Sequence, residues 1–76
     1  MQIHIGNLIR EELRRQGHTN AWLAERINIT PRALQKIFLK QSIDTQQLFA
    51  ISQALQVDFF EKYSTVLTSA NGFIRP

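Results

Sequence analysis

The sequence predicts an all-α fold, a single compact domain of five helices. Three observations predict it. Apolar residues recur at spacings of three and four along most of the chain. The periodic stretches are punctuated by residues that cap or end helices: Thr19, Thr30, Asp44 and Asp58 at starts, Gly17 and Asn28 at ends. Cysteine is absent, so neither a disulfide framework nor a thiolate zinc site replaces a packed core. The 76 residues, 43% hydrophobic and 20% charged, suffice for one small core, marginal enough at this size to invite oligomerisation.

The elements follow in order. Ile5, Leu8, Ile9 and Leu13 share one stripe of the first helix. Gly17 ends it, because glycine enters the left-handed conformation without a Cβ penalty. Thr19 caps a second helix running through Ile27, with Leu23, Ala24 and Ile27 inward. Asn28 marks a tight turn, since asparagine tolerates positive φ better than other non-glycine residues. Thr30 is the cap of a third helix and Pro31 its first residue, where the missing N–H costs nothing and the fixed φ is already helical. Ile29 and Leu34 occupy the hydrophobic-staple positions around that cap. Asp44 starts a fourth helix, with Gln47 three residues on, a second staple in Ile43 and Leu48, and Leu48, Ile51 and Leu55 inward. Asp58, with Glu61 three later, marks a fifth carrying Phe59, Phe60 and Tyr63. After Thr65 the pattern fades into VLTSANGFIRP, open between an ordered extension and a frayed tail. No repeats, heptads or low-complexity runs are evident.

Charge is uneven. Residues 1–42 carry seven basic residues (Arg10, Arg14, Arg15, Arg26, Arg32, Lys36, Lys40) against three glutamates, net +4. Residues 43–76 carry two basic against three acidic, net −1. A basic half points to a polyanion, against the plainer reading of a solvated surface. The third helix sharpens this. At about 100° per residue, Arg32, Gln35 and Lys36 fall within one arc of about 100°, opposite Leu34, Ile37 and Phe38. All three outward side chains donate hydrogen bonds and none is acidic. Arginine and lysine suit guanine O6 and N7, and glutamine suits adenine. A short polar helix joined to its predecessor by a tight turn is the plan in which the second helix enters the major groove.

Residues 5–63 resemble the phage-repressor, or Cro-type, helix-turn-helix family of bacterial regulators. The resemblance rests on Leu23-Ala24, Ile27, the Asn28 turn, Ile29, Thr30, Leu34 and Ile37, then Ala54-Leu55-Gln56-Val57-Asp58. It implies a repressor-like domain over 1–65, with the helix-turn-helix at the second and third helices; the C-terminal extension, 66–76, is expected, from its apolar residues, to form part of a dimer interface. The resemblance also implies DNA contacts at Thr19, Asn20, Thr30, Arg32, Gln35, Lys36, Lys40 and Gln41. Several positions depart from the family pattern. Asn28 replaces the turn glycine, and Asn20 stands where glutamine is common. Pro31 occupies the first reading position, which moves base reading to Arg32, Gln35 and Lys36. Leu13 and Phe38 stand where relatives pair a basic residue with an acid, so an apolar contact is expected in place of an ion pair.

Other features take plainer readings. Arg10, Arg14 and Arg15 read as the solvated side of the first helix rather than as DNA contacts. His4 and His18 lack partners at ligand or catalytic spacing, and Ser42, Ser52, Ser64 and Ser69 lack a His-Asp arrangement. No enzyme activity, metal, cofactor or small-molecule ligand is therefore expected. Trp22 stays open between a lid over the first helix, a partner contact and a DNA-backbone contact. Phe59, Phe60, Tyr63, Val66, Leu67, Phe73 and Ile74 exceed what a short segment can bury alone. Phe59 is expected in the core, Phe60 either there or at a dimer interface, and Tyr63, Val66, Leu67, Phe73 and Ile74 at that interface. No apolar run approaches the roughly 20 residues of a membrane span, and no secretory signal is visible, so a soluble cytoplasmic protein is expected. The functional expectation is a homodimeric repressor-like regulator reading a palindromic double-stranded operator. The competing reading is a protein-interaction module, an antitoxin or adaptor, on the same fold.

Overall fold

A computed structural model describes residues 2–71, which are all-helical. The helices are α1 (Ile5–Gln16), α2 (Asn20–Arg26), α3 (Pro31–Phe38), α4 (Thr45–Leu55) and α5 (Phe60–Asn71).

Local chemistry explains most boundaries. Thr19, Thr30 and Asp44 sit in extended conformation and accept the N–H three residues on, at 3.0, 3.1 and 2.7 Å. His4 does the same for α1 through Nδ1, a cap that composition alone does not announce. Asp58 Oδ1 accepts from the amides of Phe60 and Glu61 at the start of α5. Three helices end in one motif, in which paired amides reach back to carbonyls of the last turn. Its left-handed residue is Gly17 after α1, Asn28 after α2 and Gln56 after α4, with φ of 79°, 62° and 58°.

Twelve residues form the core: Ile5, Ile9 and Leu13 of α1, Leu23 and Ala24 of α2, Leu34, Ile37 and Phe38 of α3, Leu48, Ile51 and Leu55 of α4, and Phe59. The inward positions expected from periodicity are thus buried or, for Leu8 and Ile27, packed against the cluster. Leu13 and Phe38, the expected apolar replacement of an ion pair, are both buried within it.

Helix α1 is tied to the end of α3 by backbone. The amides of Ile5 and Gly6 donate to the carbonyls of Gln41 and Lys40, each at 3.0 Å. Gly6 makes this approach possible: a Cβ there would collide with the carbonyl oxygens of Phe38 and Ile37.

Two features of helix α5 bear on the readings left open for the C-terminal segment. It continues without a break past Thr65, where the apolar pattern fades, to Asn71. It also does little to close the core. Phe59 is buried in the turn before α5, but no described side chain of the helix itself is buried. Phe60, Tyr63 and Leu67 are exposed, and α5 has no packing partner comparable to those that α1–α4 find in one another. Phe73 and Ile74, also expected at an interface, lie outside the described residues.

Candidate nucleic-acid interface

The candidate surface is built on α3. Leu34, Ile37 and Phe38 anchor one side of the helix in the core, which leaves Arg32, Gln35 and Lys36 exposed on the other. Thr30-Pro31 fixes the start of this eight-residue helix through the cap bond and the proline ring. The turn from α2 is equally constrained. Asn28 takes positive φ, while its amide and that of Ile29 bond back to Glu25 and Ala24 at 3.2 and 2.9 Å. Two short helices with four residues between them therefore hold one relative orientation, as a protein reading a groove requires.

The flanking positions are exposed as well: Thr19, Asn20, Thr30, Lys40 and Gln41. Thr19 and Thr30 spend an acceptor on helix capping, but each hydroxyl keeps its proton to donate outward. The backbone at Lys40 and Gln41 is held by the amides of α1. The side chain of Gln41 donates to Gln2 Oε1 at 2.7 Å, which draws it toward the N-terminal segment. No acidic residue lies between Pro31 and Ile43, so this surface presents only donors and cations to a polyanion.

The structure divides the three arginines of α1, which the sequence reading treated as one solvated side. Arg15 turns to Glu12, with which it forms an ion pair and hydrogen bonds. The Arg15 guanidinium and, next, the Gln16 amide hold the Glu12 carboxyl below the usual carboxylate range. Gln16 also donates to Leu55 O at 2.9 Å, linking α1 to the end of α4. Arg10 and Arg14 lie on the other flank, in a groove with Asn20 and Gln35, beside the exposed face of α3. Their spacing of four residues is the signal by which the sequence could have separated them from Arg15.

Trp22 is half-buried against the core cluster. His18 stacks on its ring at 3.6 Å and 7°, and the Arg26 guanidinium lies 4.9 Å from its centroid. His18, just before α2, and Trp22 and Arg26 on it are spaced four apart, so the indole's outer surface is occupied within the chain.

A family model described as helix-turn-helix matches residues 9–62, most of the chain. The chain belongs to the Cro-type helix-turn-helix family. No curated protein and no solved structure matches it. The matched span takes in α1 from Ile9, all of α2–α4 and the start of α5. Helix-turn-helix proteins of this type are DNA-binding regulators, and the donor-rich face of α3 falls within that span. No described helix is long and apolar enough to cross a membrane. Among the described residues no group of His, Asp and Glu could hold a metal ion.

Proposed function

We propose that this helix-turn-helix protein is a sequence-specific transcription regulator that binds a palindromic operator as a homodimer. Helix α3 enters the major groove, with Arg32, Gln35 and Lys36 on base edges and Thr19, Asn20, Thr30, Lys40 and Gln41 on the backbone. The observation that carries this reading is the exposed, acid-free face of α3, held in one orientation by a capped start and a buried underside. The homodimer is supported by α5, whose Phe60, Tyr63 and Leu67 are exposed among the described residues. One short helix reads only a few base pairs. Two related by a twofold axis read half-sites about 34 Å apart.

The test is Arg32→Ala, measured on the operator selected from random duplexes and on random DNA. The loss on the operator is expected to be about 1–3 kcal/mol, with preference relaxed at one base pair. Random DNA should lose much less. Equal losses on both would make Arg32 a phosphate contact. No binding at low salt by the parent protein would remove DNA recognition and favour a protein-interaction module working through the exposed apolar surface of α4 and α5.

A further inference from the structure

We infer that Arg10 and Arg14 form a second DNA-contact element, a groove across α1 and α3 that receives one backbone phosphate beside the bases read by α3. The inference rests on the DNA-binding reading above and adds residues that reading does not include. The groove has a volume of about 270 Å³ and is lined by Arg10, Arg14, Asn20, Gln35, Phe38 and Leu39. Arg10 and Arg14 stand one turn apart on α1 and both are exposed. Among the described residues neither has a hydrogen bond or a carboxylate partner, whereas Arg15 is held by Glu12. Helix α1 thus sorts its charges. Glu11, Glu12 and Arg15 line a separate depression with Lys62, and the two unpaired cations line this one.

The lining suits a phosphate diester. Two guanidinium groups offer forked donors that match phosphate oxygens. The Asn20 amide adds a neutral donor, and no acid competes for it. Phe38 and Leu39, the latter 79% exposed, supply apolar surface on which the arginine stems can lie while their charged heads stay free. Position decides which phosphate source applies. The groove shares Gln35 with the outward face of α3, so DNA engaged by that face brings its backbone to the arginines.

The test measures how the affinity of the full chain for random duplex DNA falls with salt. One phosphate contact contributes about 0.9 to the slope of log K against log salt. The double variant Arg10→Ala/Arg14→Ala should lower the slope by about that amount and weaken operator and random DNA alike. Arg15→Ala removes the same charge from the same helix and should leave the slope unchanged. Arg10→Lys/Arg14→Lys should restore most of it. An unchanged slope in the double variant overturns the inference while leaving the recognition reading intact. A loss in Arg15→Ala equal to half that of the double variant also overturns it, because general charge would then explain both. Binding of inorganic phosphate to the chain that the double variant abolishes, with the DNA slope unaltered, overturns it in favour of a free-anion site. If the parent protein binds no duplex at low salt, both readings fall together.

Discussion

At the scale of single residues, the most constrained position is Gly6. A methyl group there would meet backbone oxygens of α3, which cannot rotate away as a side chain can. Gly6→Ala should therefore cost at least the roughly 1–3 kcal/mol of an overpacked core, and loosen the amide bonds from Ile5 and Gly6 to the segment after α3. Chemical denaturation checks the first effect, and hydrogen exchange at Ile5 and Gly6 the second. Phe38 is the complementary case. At 7% exposure, it fills space in one buried cluster with Leu13. Phe38→Ala should cost about 3–5 kcal/mol by leaving a cavity. A melting curve like the parent's would show that the site collapses freely. Both positions control α3 from behind, so a loss of DNA affinity in either variant must be read together with its stability.

At the scale of elements, the helix ends show how far local chemistry reaches. Gly17 and Asn28 are residues whose types announce the left-handed conformation, and both adopt it. Gln56 adopts it too, with φ of 58°, although glutamine has no preference for that region. Amides of Gln56 and Val57 bond to Gln53 O and Ser52 O at 3.3 and 3.1 Å, and burial of Phe59 just beyond draws the chain back toward the core. Packing after α4 thus overrides the residue's preference. Gln56→Gly should relieve that strain. Since a left-handed non-glycine residue costs roughly 1–2 kcal/mol and glycine's extra unfolded entropy about 0.5–1, the net gain should be about 0.5–1 kcal/mol. A fall in the denaturation midpoint would contradict this. Helix α5 poses the opposite problem. Twelve residues are marginal for an isolated helix in water, and α5 finds little support in its own chain. Phe60, Tyr63 and Leu67 follow a spacing of three and four that the sequence extends to Ala70 and Ile74. Two heptads of such a register are too few to stand out as a repeat, yet they suit packing against a second helix.

At the scale of the whole molecule, the shape agrees with an unpartnered α5. The radius of gyration is 13.3 Å, against about 11 Å for a compact chain of this length. The extents are 41 × 22 × 21 Å, an elongation that a projecting helix about 18 Å long can supply. Phe49, 57% exposed on α4, shares a surface depression with Thr45, Gln46 and Phe60, so the uncovered apolar area extends beyond α5. A homodimer that covers this surface should sediment as such at tens of micromolar, the range that separates weak dimers from monomers. Removing residues 64–76 should leave a folded monomer, because the buried cluster ends at Phe59. Its operator affinity should fall, while the short-range contacts of each α3 survive. A monomeric full-length chain at that concentration would sink the proposed dimer.

What the sequence by itself determined is the part governed by interactions a few residues apart. Caps at Thr19, Thr30 and Asp44, the turns at Gly17 and Asn28, and the buried stripes of α1–α4 each depend on residue type and helical period. The helix pair and the outward placement of Arg32, Gln35 and Lys36 follow from them. Tertiary structure alone decided what depends on distant residues meeting. It placed Gly6 against the carbonyls of α3, forced Gln56 to positive φ, and left Phe60, Tyr63 and Leu67 of α5 exposed among the described residues. It also split Arg10 and Arg14 from Arg15, because Glu12 claims one arginine while the N-terminus of α2 and the outward flank of α3 close a groove around the other two. A helical wheel gives each side chain an angle about its own axis, but only the packing of α1 against α2 and α3 says what stands opposite it.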